Sequence, residues 1–164
     1  MFPLALFVCA GNTCRSPMAE AAFRAMTPSH KPWRCASAGL AATSGASISS
    51  NAKAALAEIK CAPSYLTHRS QPVTANLVQE ASVIVVMTNG HAQKMLDRFP
   101  NAADKLYLMR DFDPASPKGS DLNDPFCGSF ETYCACRDLI CAAMPGLIHF
   151  LTGTHPIPIT HHSS

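Results

Sequence analysis

The chain has 164 residues, enough for one domain with a substantial core. A formal net charge of +2, with no segment on which lysine and arginine cluster, argues against a nucleic-acid partner. Eight cysteines, with no basic flank before the short apolar run at the N-terminus, predict free thiols in the cytoplasm and no signal peptide, and no stretch reads as long enough to span a bilayer.

In chain order, residues 1–8 read as a first strand, and Ser16 and Pro17 as the cap and first position of a helix over 17–26 with Met18, Ala22, Ala25 and Met26 on one face. A second strand is expected over 33–38, followed by a long polar loop to residue 50 and a weakly amphipathic helix over 51–60. Thr74 caps a short helix to residue 80. The run Val83-Ile84-Val85-Val86-Met87 is apolar on both faces, as a central parallel strand must be. A helix over 89–99, ended by Pro100, and a fourth strand over 105–109 follow. Residues 110–128 are polar, punctuated by proline and long enough to be functional. The last helix spans 130–151, with a break or kink expected at Pro145-Gly146. Alternating strands and helices predict an α/β three-layer sandwich, a four-stranded parallel sheet flanked by helices with its site at the carboxyl ends of the strands. One domain over 1–152 and a mobile tail over 153–164 complete the outline.

The chemistry concentrates in residues 8–20, VCAGNTCRSPMAE. A strand, a tight loop and a helix start in that order aim backbone N–H groups and the positive end of a helix dipole at one point, a cradle for a phosphate-like dianion. The same donors, with the Arg15 guanidinium, favour a thiolate at Cys9, and a thiolate beside a phosphoryl group is a nucleophile. Arg15 can grip two phosphoryl oxygens with its planar fork. The alternative is a small apolar cysteine ending a buried strand.

The run Cys9-Ala10-Gly11-Asn12-Thr13-Cys14-Arg15-Ser16-Pro17 resembles the phosphate-binding loop of the low-molecular-weight phosphotyrosine protein phosphatases. That resemblance implies a cysteine-dependent protein phosphatase working through a phosphocysteine, with residues 10–14 and Ser16 around the phosphate. It implies a monomer acting on phosphorylated proteins, without cofactor or metal. Asp124-Pro125-Phe126 is similar to the family's acid loop, so Asp124 is assigned as proton donor and later base, and Phe126 as a pocket wall. Asp113-Pro114 is the alternative acid but lacks the aromatic; Asp111 and Asp121 read as turn residues. By the same resemblance Asn12, Ser16, Ser37 and His68 form the hydrogen-bonded network that supports the loop, and Cys9 and Cys14 form a reversible, protective disulfide. Cys134, Cys136 and Cys141 share a helix at spacings unsuited to a tetrahedral metal site and read as packing residues.

Thr13 bears on the substrate. Family members selective for phosphotyrosine usually carry a larger aliphatic there; Thr13, with Asp124-Pro125-Phe126 and the run from Ala81, resembles the bacterial protein-arginine phosphatases. Ser82 departs from the family's usual aspartate, far from the chemistry. The competing readings are a tyrosine phosphatase, an arsenate reductase, whose extra redox cysteines are missing from 88–100, and a phosphate-binding module without activity.

Overall fold

The computed structural model describes residues 1–61 and 63–161. β1 (Leu4–Cys9), β2 (Arg34–Gly39), β3 (Val83–Val86) and β4 (Leu106–Leu108) form one sheet in the order β2-β1-β3-β4, and every pairing is parallel. The chain starts in the middle of the sheet, moves outward to β2, then crosses to β3 on the other side of β1. The order therefore reverses at β1, and a crevice opens beyond its carboxyl end. Cys9 is the last residue of that strand.

β1 and β3 are buried along their whole length, which is why both read as unbroken apolar runs instead of alternating ones. Alternate residues serve two cores. Ala5, Phe7, Val83 and Val85 pack with α1 (Arg15–Met26), α2 (Ser50–Ala57) and α5 (Phe130–Thr152). Leu6, Val8, Ile84 and Val86 pack on the opposite face with Val78 of α3 (Ala75–Glu80) and Met95 of α4 (Asn89–Arg98). Short 3-10 turns at Pro63–Thr67, Pro100–Lys105 and Met109–Phe112 were invisible to a periodicity argument, because one turn carries too few residues to show a repeat.

Five expectations need correction. α1 begins at Arg15 after Cys14, which makes no side-chain cap, so Ser16 lies inside the helix with its hydroxyl turned to the loop. α2 begins at Ser50 and ends at Ala57, capped by Ser49, whose hydroxyl accepts from the Ala52 N–H. α5 runs through Pro145 as one helix of 23 residues. At Gly146 the helix and the 3-10 turn meet backbone to backbone, since a Cβ there would overlap the carbonyl oxygen of Phe112. By length and composition α5 could cross a membrane, contrary to the sequence reading, but Ile140, Ala143, Met144, Leu147 and Ile148 are fully buried in the core. Finally, the segment after Gly153 is bonded to the domain: the Ile157 N–H donates to Met26 O, the Lys60 N–H donates to Thr160 O, and Ile59 pairs with His161. The rest of the predicted tail, 162–164, lies outside the described residues.

Candidate active site

Between the end of β1 and the start of α1, residues 10–14 turn tightly around the Cys9 sulfur. Asn12 makes the turn possible, since it adopts φ 58°, a left-handed conformation that asparagine tolerates better than most residues. Its own N–H reaches Cys9 Sγ at 3.3 Å. Ser16 Oγ lies 2.9 Å from the same sulfur and accepts from Asn12 Nδ2 at 2.8 Å. These donors, at the positive end of α1, suit a sulfur carrying negative charge.

The loop is held from behind. Asn12 O meets His68 Nε2 at 2.7 Å, and Asn12 Oδ1 accepts from the Gln71 N–H at 3.0 Å. Since the Asn12 partner is a carbonyl, His68 Nε2 carries the proton. Ser37 joins this network through its backbone and not its side chain: its carbonyl accepts from Gln71 Nε2 at 3.0 Å, while its hydroxyl donates to Glu20 Oε2 at 2.7 Å. Gly39 is a supporting residue that the sequence reading missed. A Cβ there would lie 2.4 Å from Ala10 O and 3.0 Å from Asn12 N, so the end of β2 can back the loop only as glycine. The signal was available, because a strand ending in glycine beside a tight loop marks close backbone approach.

On the cleft side, Arg15 is buried and held by a hydrogen bond from Nη1 to Leu122 O at 2.9 Å. Leu122 in turn donates its N–H to Met87 O just past β3, so residues 110–128 are anchored to the sheet at that point. Arg15 Nη2 lies 3.4 Å from Asp124 Oδ2, and Asp124 Oδ1 accepts from the Phe126 N–H at 3.1 Å. The Asp124 side chain is 51% exposed and so keeps access to a substrate. The other carboxylates of the segment are committed elsewhere. Asp113, buried, accepts from the Ala115 N–H and the Ser116 hydroxyl, Asp111 from the Gly119 N–H, and Asp121 from the backbone and side chain of Asn89. Those Asn89 donors hold the Asp121 carboxyl below the usual carboxylate range.

A cleft of about 210 Å³ is lined by Cys9, Gly11, Thr13 and Cys14 at the loop, Arg15 of α1, and Asp124 and Phe126. Phe126 is 68% exposed and stands at its wall. Of the residues assigned to the phosphate, Ala10, Asn12 and Ser16 do not line the cleft: the Ala10 carbonyl accepts from Ala41, and the side chains of Asn12 and Ser16 face the supporting network. Cys14 Sγ lies 3.4 Å from both Ser49 Oγ and Tyr133 OH, and burial pushes the Tyr133 hydroxyl up to about 12, with Cys14 adding to the shift. His91, in the first turn of α4, is 7% exposed; burial first and the Arg15 charge second pull it down to about 4, so it is neutral near pH 7. Among the described residues no group of three or more histidine, cysteine or acidic side chains is arranged to hold a metal.

A nucleophilic sulfur, a buried guanidinium and an accessible carboxylate around one small cleft can transfer a phosphoryl group to sulfur and then to water. Comparison with known proteins agrees. Residues 5–155 match the family described as low molecular weight phosphotyrosine protein phosphatase. The protein-arginine-phosphatase of Geobacillus stearothermophilus is 39% identical over 135 residues, 81% of this chain and 85% of that one. The structure of YwlE arginine phosphatase from the same organism superposes with a TM-score of 0.79 at 34% identity, covering 92% of this chain and 94% of that one. A YwlE variant carrying a phosphorylated active-site serine aligns with a TM-score of 0.78 at 32% identity, over 90% and 95% of the two chains. The low molecular weight protein-tyrosine-phosphatase of Streptomyces coelicolor is 31% identical over 146 residues, 87% of this chain and 89% of that one. The chain belongs to the low molecular weight phosphotyrosine protein phosphatase family.

Proposed function

We propose that this phosphatase removes phosphate from arginine side chains of proteins in the cytoplasm, acting as a monomer through a phosphocysteine at Cys9. The observation that carries the reading is the convergence of Cys9, Arg15, Asp124 and Thr13 on one cleft. Cys9 Sγ attacks phosphorus as the phosphorus–nitrogen bond breaks, and Asp124 gives its proton to the leaving guanidine nitrogen. Arg15 holds two equatorial oxygens and neutralises charge as it develops. Asp124, now a carboxylate, takes a proton from the water that attacks the phosphocysteine. Inorganic phosphate leaves and Cys9 returns as thiolate.

Thr13 supports phosphoarginine as the substrate class. It is a polar, β-branched residue in the cleft wall, where a larger aliphatic would favour a flat phenyl ring. The relatives named for arginine dephosphorylation point the same way. Phosphotyrosine is the second reading, favoured by the exposed Phe126 ring at the cleft, which offers a face for stacking. Cys14 serves as a resolving thiol that forms a disulfide with Cys9 under mild peroxide, and mass spectrometry without a Cys9–Cys14 linkage would remove that role.

The catalytic assignment is tested with p-nitrophenyl phosphate. Cys9→Ser abolishes turnover, and Asp124→Asn lowers kcat by about 10²-fold or more while a phosphoenzyme accumulates. Residual turnover in Cys9→Ser near the wild-type rate would overturn it.

A further inference from the structure

A second cavity is larger than the catalytic cleft. It has a volume of about 330 Å³, lies between α1, the edge strand β2 and residues 64–71, and shares no lining residue with the cleft. Its wall includes His68 and Gln71, the two residues that hold Asn12 from behind. From there two short hydrogen bonds lead to the nucleophile, Asn12 Nδ2 to Ser16 Oγ at 2.8 Å and Ser16 Oγ to Cys9 Sγ at 2.9 Å.

The polar groups of this cavity are unevenly used. Its carboxylate, Glu20, already accepts on both oxygens, from Arg24 Nη2 at 3.0 Å and from the Ser37 hydroxyl at 2.7 Å. Its two guanidiniums are only partly engaged: among the described residues Arg24 bonds Glu20 through Nη2 alone, and Arg69 bonds the His68 carbonyl through Nη1 alone. Two guanidiniums with free N–H groups face a single carboxylate that is already paired, so the complementary ligand is negatively charged. Ala21, Ala36, Pro17 and Tyr65 add an apolar side that suits a carbon body.

We propose that this cavity is a second binding site, for a small organic molecule bearing a carboxylate or phosphate group held by Arg24 and Arg69. Its occupancy changes catalysis at Cys9 through His68, Gln71 and Asn12. A ligand resting against His68 and Gln71 alters how firmly they hold Asn12, and with it the donors around the sulfur. Coupling of this kind needs no large motion, since the intervening groups are already in direct contact.

Citrate and inorganic phosphate serve as probes, read by backbone amide NMR of the intact protein. The expected result is a saturable shift of Glu20, His68, Arg69 and Gln71 resonances with millimolar affinity. Binding weakens at least fivefold in the doubly substituted Arg24→Gln, Arg69→Gln protein and is unaffected by Arg15→Ala. Citrate also changes kcat for p-nitrophenyl phosphate in the wild type and leaves it unchanged in the double variant. Arg24 and Arg69 lie outside the catalytic cleft, and a dispersed amide spectrum close to that of the wild type checks that the double variant is folded. Shifts that disappear with Arg15→Ala and survive the double substitution would assign the anion to the catalytic loop and overturn the proposal. Binding at the cavity with no change in kcat would overturn the coupling, and a response to phosphate but not citrate would limit the ligand to phosphate-bearing molecules.

Discussion

Of the two tasks assigned to Ser16, helix cap and member of the loop's network, only the second is seen. Its position before a proline reads as a helix cap, yet its hydroxyl is bound to Cys9 Sγ and Asn12 Nδ2. Ser16→Ala therefore leaves the helix intact and removes a donor from the sulfur, with kcat for p-nitrophenyl phosphate expected to fall about 10- to 100-fold. Thr13→Ile should move the ratio of kcat/KM for phosphoarginine over aryl phosphate by at least about tenfold toward the aryl substrate, as steady-state kinetics would register. His91 sets a pH dependence of stability. In the fold it titrates at about 4 against an ordinary 6.5, so between those values the unfolded chain binds more protons than the native one. Its contribution is complete above about pH 6.5 and drains away as the pH falls toward 4. Thermal melting across that window should show a shallower loss in His91→Gln, and an unchanged slope would contradict the assignment.

Elements meet the loop through backbone contacts that residue types alone describe poorly. Gly39, at the end of β2, is pressed against Ala10 and Asn12. Gly39→Ala should cost about 1–3 kcal/mol of stability by overpacking and, by displacing the loop, lower kcat by about 10²-fold, as denaturant unfolding and kinetics would show. Thr88 caps α4 by accepting from the His91 N–H at 3.0 Å, and Thr88→Ala should cost about 1 kcal/mol. β1 and β3 were legible because each is an unbroken apolar run, and Asp124 was singled out by the proline and aromatic that follow it. The continuity of α5 through Pro145 was not legible, since a proline inside a helical pattern reads locally as a break. The diversion of the Ser37 hydroxyl to Glu20 was hidden because it depends on how β2 lies against α1.

At the scale of the whole molecule, the strand order reverses at β1 and brings together residues more than a hundred positions apart, Arg15 with both Leu122 and Asp124. The loop motif announced half of the site and the Asp-Pro-Phe motif the other half; the distance between them became a contact only through the order of the strands. The supporting shell of His68, Gln71 and Gly39 was legible only in part, because it is assembled from three segments with little local pattern. On the proposed function, Thr13 and its neighbours fit this cleft to phosphoarginine. Measurement of kcat/KM side by side on phosphoarginine and phosphotyrosine peptides of the same sequence tests it most directly. A preference for phosphoarginine of at least about tenfold, falling in Thr13→Ile, is expected. Equal values, or a preference for phosphotyrosine, in the wild-type protein would contradict it.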